Sequence, residues 1–224
     1  MPPAIVFDVN ETLLDLRALD APFSAAFGTT EARHEWFGQV LQSALMTTVL
    51  GTYADFGTIG RAALTMTAAH YDRTLAEDEQ DRILRTVRRL PPHPDVPEGL
   101  ARLRDAGCTL VALSNGPPET LHAQLDYASL TSFFAHILSA DQVQRLKPAP
   151  APYHLAAETL GVEPAQMWFV AAHAWDIAGA MQVGCPAAFI ARPGKVLDPL
   201  VPTPRIVAPG LSAAADRILA AALN

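Results

Sequence analysis

The chain has 224 residues, half of them hydrophobic, enough for one sizeable domain whose core needs no disulfide or metal staple. Its formal net charge is −7 and no lysine or arginine run stands out, which argues against nucleic acid and anionic membranes as partners. A small anion is still open to it, because a local pocket can oppose the global sign.

The first apolar run, "AIVF" (4–7), reads as a strand, and Asp8 stands at its end. From Leu16 to about Leu90 no strand pattern appears. Helical candidates lie near 31–50, 55–71 and 76–89, with "GTYADFG" breaking the first two apart and "LPPHPDVP" (90–97) closing the stretch. Helices and strands then alternate: helix 96–106, strand "TLVALS" (109–114), helix 118–127, strand "HILS" (136–139), helix 150–160, strand "MWFVAA" (167–172), helix 174–183 and strand "PAAFIA" (186–191). "ARPGKVLDPLVPTPR" reads as a Pro-rich connection, and "RIVA" (205–208) is a candidate sixth strand.

Most of these strands do not alternate polar and apolar residues, which favours a sheet covered on both faces. The expected fold is α/β, a doubly wound, mostly parallel sheet with a Rossmann-like core and an inserted helical cap. Residues 1–15 and 91–224 make the core and 16–90 the cap, hanging over the carboxyl end of the first strand. Cys108 and Cys185 each open an apolar run and form no Cys-x-x-Cys or Cys/His cluster, so buried thiols are expected. The start "MPPAIVFD" does not read as a signal peptide, and no segment approaches the ~20 apolar residues of a membrane helix. A cytoplasmic protein is expected.

Ligands of open α/β sheets bind beyond the carboxyl ends of the strands. Asp8, Ser114-Asn115-Gly116, Lys147 and the stretch His173 to Asp176 all fall at such ends or in the loops beyond them. With parallel strands they converge on one rim under the helical insert. That rim combines two carboxylates, an amine, an imidazole and hydroxyls.

In this order, "FDVNETLLD", "LSNG", "KPAPAPY" and "AWD" resemble the four motifs of the haloacid dehalogenase superfamily, over almost the whole chain. Superfamily phosphatases resemble one another in a second aspartate two residues after the nucleophile. Here that place holds Asn10, whose amide cannot exchange a proton at neutral pH, and the fourth motif offers only Asp176 as a carboxylate for Mg²⁺. The pattern is most similar to the type II 2-haloacid dehalogenases, which implies hydrolysis of a short haloacid without metal or cofactor.

The resemblance implies that Asp8 is a nucleophile forming an aspartyl ester, with Lys147 keeping it ionised. Thr12 and Ser114 would donate hydroxyl hydrogen bonds, Ser114 to the substrate carboxylate, with the amides of Val9, Asn10 and Asn115 adding to that anion site. Tyr153 would orient Lys147 or its neighbours, Asp176 would hold Lys147 or the hydrolytic water, and Trp175 would wall the substrate. The implied ligands are a haloacid and a halide, and dimers are common among such relatives. A phosphatase of the same superfamily and a small-anion binding protein that has lost catalysis stand as alternatives.

Two departures bear on the mechanism. Where type II dehalogenases carry an arginine on the first cap helix, this chain has Phe37; Arg33, one turn earlier on the same face, is a candidate replacement or else a solvated residue. Where the fourth motif commonly reads serine, serine, asparagine, it reads Ala171, Ala172, His173. The imidazole is either a base or halide ligand, or a buried group that shapes the pocket.

Overall fold

The computed structural model describes residues 2–222. Among the described residues six strands form one sheet: β1 (Ala4–Phe7), β2 (Thr109–Ser114), β3 (His136–Ser139), β4 (Met167–Ala171), β5 (Ala187–Ile190) and β6 (Ile206–Ala208), in the order β3-β2-β1-β4-β5-β6. Every neighbouring pair is parallel, as the non-alternating apolar runs require. The α-helices of the described residues are, in chain order, α1 (Asp20–Phe27), α2 (Glu31–Val49), α3 (Phe56–His70), α4 (Glu77–Thr86), α5 (Val96–Asp105), α6 (Pro118–Tyr127), α7 (Pro150–Leu160), α8 (Ala174–Gln182) and α9 (Leu211–Ala222).

Successive strand residues feed opposite faces of the sheet. Ile5 and Phe7 pack with Leu100 of α5, Leu121 of α6 and Ile218 of α9, whereas Val6 packs with Tyr153 of α7 and Ile177 of α8. Each face therefore has its own apolar core, and the doubly wound architecture follows.

The chain leaves the sheet after β1, runs through α1–α4 and returns where the Asp15 N–H donates to the Pro91 carbonyl at 2.8 Å. The outgoing and returning segments thus lie side by side. Tyr53, between α2 and α3, donates its hydroxyl to Asp141 beyond β3, a tie from the helical stretch across to the sheet's rim.

Two helices differ from the sequence reading. α1 is only eight residues long and buries just Phe23 and Phe27, too short to show a period. α9, alanine-rich, follows β6 and packs along α5, and its first N–H, on Leu211, is accepted by Asp95. Both cysteines are free and buried. No helix among the described residues is long and apolar enough to cross a membrane.

Candidate active site

The order of the sheet reverses direction between β1 and β4, and such a switch point is where two loops diverge and leave a crevice. Asp8 leaves β1 there, its N–H donating to Val170 of β4 at 3.0 Å, and His173 leaves β4 beside it. Both side chains are buried.

Each oxygen of Asp8 has its own partners. Lys147 Nζ donates to Oδ1 at 2.8 Å, to the Leu113 carbonyl at 3.0 Å and to Asp176 Oδ2 at 2.6 Å. Thr12 donates its hydroxyl to Oδ2 at 2.6 Å and accepts the Ala172 N–H at 2.9 Å. His173 Nδ1 meets Oδ2 at 3.2 Å. Burial works against charging Asp8, but Lys147 and then His173 outweigh it and hold the carboxyl well below the usual carboxylate range. Burial also disfavours the Lys147 cation, and Asp176 and Asp8 reverse that, raising its pKa. The space between the two carboxylates is filled by the Lys147 ammonium.

Behind this pair, Tyr153 is fully buried against Phe169 and donates its hydroxyl to Asp176 Oδ1 at 2.6 Å. Burial pushes the Asp176 carboxyl up against the pull of Lys147. Tyr153 therefore acts on Asp176, one layer away from Asp8. Gly179 makes this packing feasible, because a Cβ there would lie 2.5 Å from Tyr153 Oη and 2.7 Å from Pro148 Cβ.

Asn115 is committed to the lysine. Its Oδ1 accepts the Lys147 N–H at 2.8 Å and its Nδ2 donates to the Lys147 carbonyl at 3.3 Å. The Ser114 hydroxyl accepts the Gly116 N–H at 3.0 Å, leaving its own proton to point elsewhere. Val9 is buried at the base of the loop after β1. The Asn10 carbonyl oxygen accepts from Gln124 Nε2 at 3.0 Å, which turns its amide NH₂ away from Gln124. Asn10, Gly116 and Gln124 line a cavity of about 770 Å³ together with Leu19, Trp36 and Phe37 from the helical stretch.

His173 makes a second contact, one that no motif foreshadows. Its Nε2 meets Glu11 Oε2 at 2.8 Å. Burial disfavours the imidazolium, yet Asp8 and Glu11 together raise its pKa to about 9. Glu11 is brought down to about 2 by His173 and Lys195 against the effect of burial. Its backbone sits at φ 62, in the left-handed region costly for a side-chain-bearing residue. The Glu11 N–H donates to Leu14 at 2.8 Å and His93 Nε2 meets the Glu11 carbonyl at 3.1 Å, which fixes that conformation. Trp175 stacks on the His173 ring at 5.2 Å between centroids and Phe37 approaches it at 6.1 Å. The Trp175 indole N–H is buried and meets no protein acceptor among the described residues.

Arg33 takes neither of the places considered for it. It is buried, but its guanidinium pairs with Asp20 and with His34 at 2.9 Å inside the helical stretch, while Phe37 is the residue of α2 that faces His173. Glu11 carried no signal beyond being an acid three residues after Asp8. Its backbone twist and a partner 162 positions away are tertiary facts.

The fold and this carboxylate–amine–imidazole array define a hydrolase of one superfamily. A family model described as haloacid dehalogenase-like hydrolase matches residues 2–184, and the chain belongs to that family. It is 32% identical over 202 residues to an (S)-2-haloacid dehalogenase of Pseudomonas sp. (strain YL), covering 89% of this chain and 87% of the relative. It is 31% identical over 212 residues to haloacetate dehalogenase H-2 of Moraxella sp. (strain B), covering 94% and 95%. The structure of L-2-haloacid dehalogenase from Xanthobacter autotrophicus with chloropropionic acid covalently bound matches with a TM-score of 0.92 at 27% identity, over 98% of this chain and 99% of that one.

Proposed function

We propose that the protein hydrolyses short 2-haloalkanoic acids of the haloacetate type through an aspartyl ester on Asp8. The observation that carries this reading is the pairing of an ionised Asp8 with Lys147 on one oxygen and His173 on the other. Residues 16–90 act as a cap over a core of 1–15 and 91–224, and the cavity between them receives the substrate. The relatives named dehalogenases support the same reaction class.

In the first half-reaction an Asp8 oxygen attacks C2 of the haloacid. The carbon–oxygen bond forms as the carbon–halogen bond breaks, and the halide leaves with the bonding pair. The Ser114 hydroxyl, the Asn10 amide and the amides of Val9 and Asn115 hold the substrate carboxylate. The Trp175 indole N–H is the donor left for the halide, and the His173 ring stacked on Trp175, its two nitrogens engaged by Asp8 and Glu11, contributes charge rather than a hydrogen bond.

Ester formation removes the Asp8 charge, and with it one of the two carboxylates that keep His173 protonated. The imidazolium then releases its proton to solvent. The neutral ring takes a proton from water as the water oxygen attacks the ester carbonyl, and Glu11 holds the ring for that task. The hydroxy acid departs with the proton His173 took from water, the Asp8 carboxyl passes the second water proton to His173, and the carboxylate and imidazolium are both restored. One halide and one proton are released per turnover.

The Lys147 ammonium between Asp8 and Asp176, together with Asn10, opposes a Mg²⁺-dependent phosphatase. Two free, buried thiols support a reducing, cytoplasmic setting. The exposed Met46, Val49 and Leu50 at the end of α2 support a homodimer contact. Turnover in ¹⁸O-labelled water followed by mass spectrometry tests the ester: label accumulates in the Asp8 carboxylate over repeated cycles, and an unlabelled Asp8 refutes the mechanism.

A further inference from the structure

After β5 the chain turns at Arg192-Pro193-Gly194-Lys195, where the Lys195 N–H donates to the Arg192 carbonyl at 2.8 Å. Arg192 is buried and ties this turn to the loop after β1. Its Nε and Nη2 donate to the Thr12 carbonyl at 3.2 and 2.9 Å, and Nη1 pairs with Asp95 at 2.6 Å. The turn is thus anchored to the segment that carries Asp8, Glu11 and Thr12. From there Lys195 Nζ reaches Glu11 Oε2 at 2.6 Å, the same oxygen that meets His173 Nε2 at 2.8 Å. One carboxylate oxygen lies between two cations.

The charged surroundings of the imidazole are well defined. Asp8 faces its Nδ1 side, with Lys147 and Asp176 behind Asp8, and Glu11 faces Nε2, with Lys195 beyond it. His93 touches the Glu11 carbonyl and Arg192 the Thr12 carbonyl, while the uncharged Phe37 and Trp175 lie near the ring. Of these groups, Lys195 is the cation that opposes Glu11 directly.

We infer that Lys195 is a positioning residue for the hydrolytic half-reaction: it holds the Glu11 carboxylate on His173 and offsets part of its charge, so that the imidazole can lose its proton once Asp8 is esterified. This inference rests on the Glu11–His173 reading above. A Glu11 with its charge unopposed keeps the ring cationic after ester formation, and a cation cannot accept a proton from water. A partly exposed ammonium about 5 Å from the ring, across one oxygen, displaces the ring's titration by on the order of one pH unit.

The test uses Lys195→Met and Lys195→Arg in the full chain with bromoacetate. Single-turnover bromide release reads the alkylation step, and rapid quench with intact-protein mass spectrometry follows decay of the alkylated enzyme against pH. In Lys195→Met the acid limb of ester decay moves up by about one pH unit and decay at pH 7 slows by up to roughly tenfold, while bromide release changes by less than about twofold. Lys195→Arg returns the limb to its wild-type position. A limb that stays in place or moves down in Lys195→Met, or Lys195→Arg that behaves like Lys195→Met, overturns the inference. Glu11→Gln run alongside separates the two readings. Unchanged ester decay in Glu11→Gln removes the dyad itself, whereas slowed decay there with an unmoved Lys195→Met limb removes only the role of Lys195.

Discussion

Glu11→Gln is the most informative single change, because it keeps the size of the side chain and removes one charge from the face of His173. The imidazole stands at about 9, above its ordinary 6.5, although burial alone lowers it. Two carboxylates therefore supply more than the visible displacement. Losing one of them lowers the ring by at least about one pH unit, or about 1.4 kcal/mol. Once Asp8 is esterified no carboxylate faces the ring, which then sits in a buried site as a weak and poorly oriented base. General-base assistance is worth about 10²–10⁴-fold, so ester hydrolysis in the variant slows by roughly 10²-fold or more.

In the proposed mechanism alkylation draws on Asp8, Lys147 and the substrate site, which Glu11→Gln leaves in place, while the Asp8 anion still favours a protonated His173, so the step proceeds. Rapid mixing with a haloacid then gives a burst of about one halide per active site, and mass spectrometry finds the protein carrying the acid. Stability against pH supplies a second readout. His173 has a raised folded-state pKa, so its contribution is fully present below about pH 6.5 and is lost as pH rises through about 9. That contribution is at most about 3 kcal/mol in the wild type and is clearly smaller in the variant. Linear halide release without a burst, together with no alkylated protein, refutes the reasoning.

Lys147→Met leaves Asp8 and Asp176 facing each other without a counter-charge in a buried site, so the Asp8 pKa rises and the nucleophile is lost. Halide release in single turnover should fall by more than about 10³-fold, and chemical denaturation should find the fold weakened by about 3–5 kcal/mol. Gly179→Ala forces a methyl group onto the Tyr153 hydroxyl and Pro148; a lower midpoint in thermal melts, by about 1–3 kcal/mol, and a slower alkylation step are expected as Asp176 loses its place.

The parallel sheet was legible because its central strands β1, β4 and β5 are buried on both faces and so read as unbroken apolar runs. "TLVALS" and "HILS" coincide with β2 and β3 to the residue. Helices with strong periodicity or flanking prolines, such as α6 and α7, were equally plain. α1 was not, because two buried residues in eight define no face. At the site, the sequence reading brought forward Asp8, Thr12, Lys147, His173 and Asp176, and the fold gathers these side chains at the switch point. It had Tyr153 orient Lys147 or its neighbours, and the Tyr153 hydroxyl lies on Asp176; for Asn115 it named the backbone amide and did not foresee that the side chain engages Lys147. The Asn115 contact was out of reach because motif position places a residue near the rim, while the direction of its side chain depends on loops distant in sequence. Glu11 and Lys195 lay beyond reach for the same reason, since their pairing spans 184 positions.

The two departures from the type II pattern belong together. The helix position where relatives of that type carry arginine holds Phe37, and its ring lies 6.1 Å from that of His173. A guanidinium at that place would confront an imidazolium already held cationic by Asp8 and Glu11. Arg33, the nearest cation on α2, is kept within the helical stretch by Asp20. Set against the pattern that the resemblance implies, the positive charge stands on the loop after β4 rather than on the helix that lines the cavity. The exchange is not neutral chemically, because an arginine stays protonated throughout a reaction cycle and a histidine need not. In the proposed mechanism, His173 carries charge toward the departing halide while Asp8 is an anion. In that same mechanism, once Asp8 becomes an ester the ring loses one of the two carboxylates that favour its protonation and turns into the base for the next step. The nucleophile's own charge sets which role the ring plays.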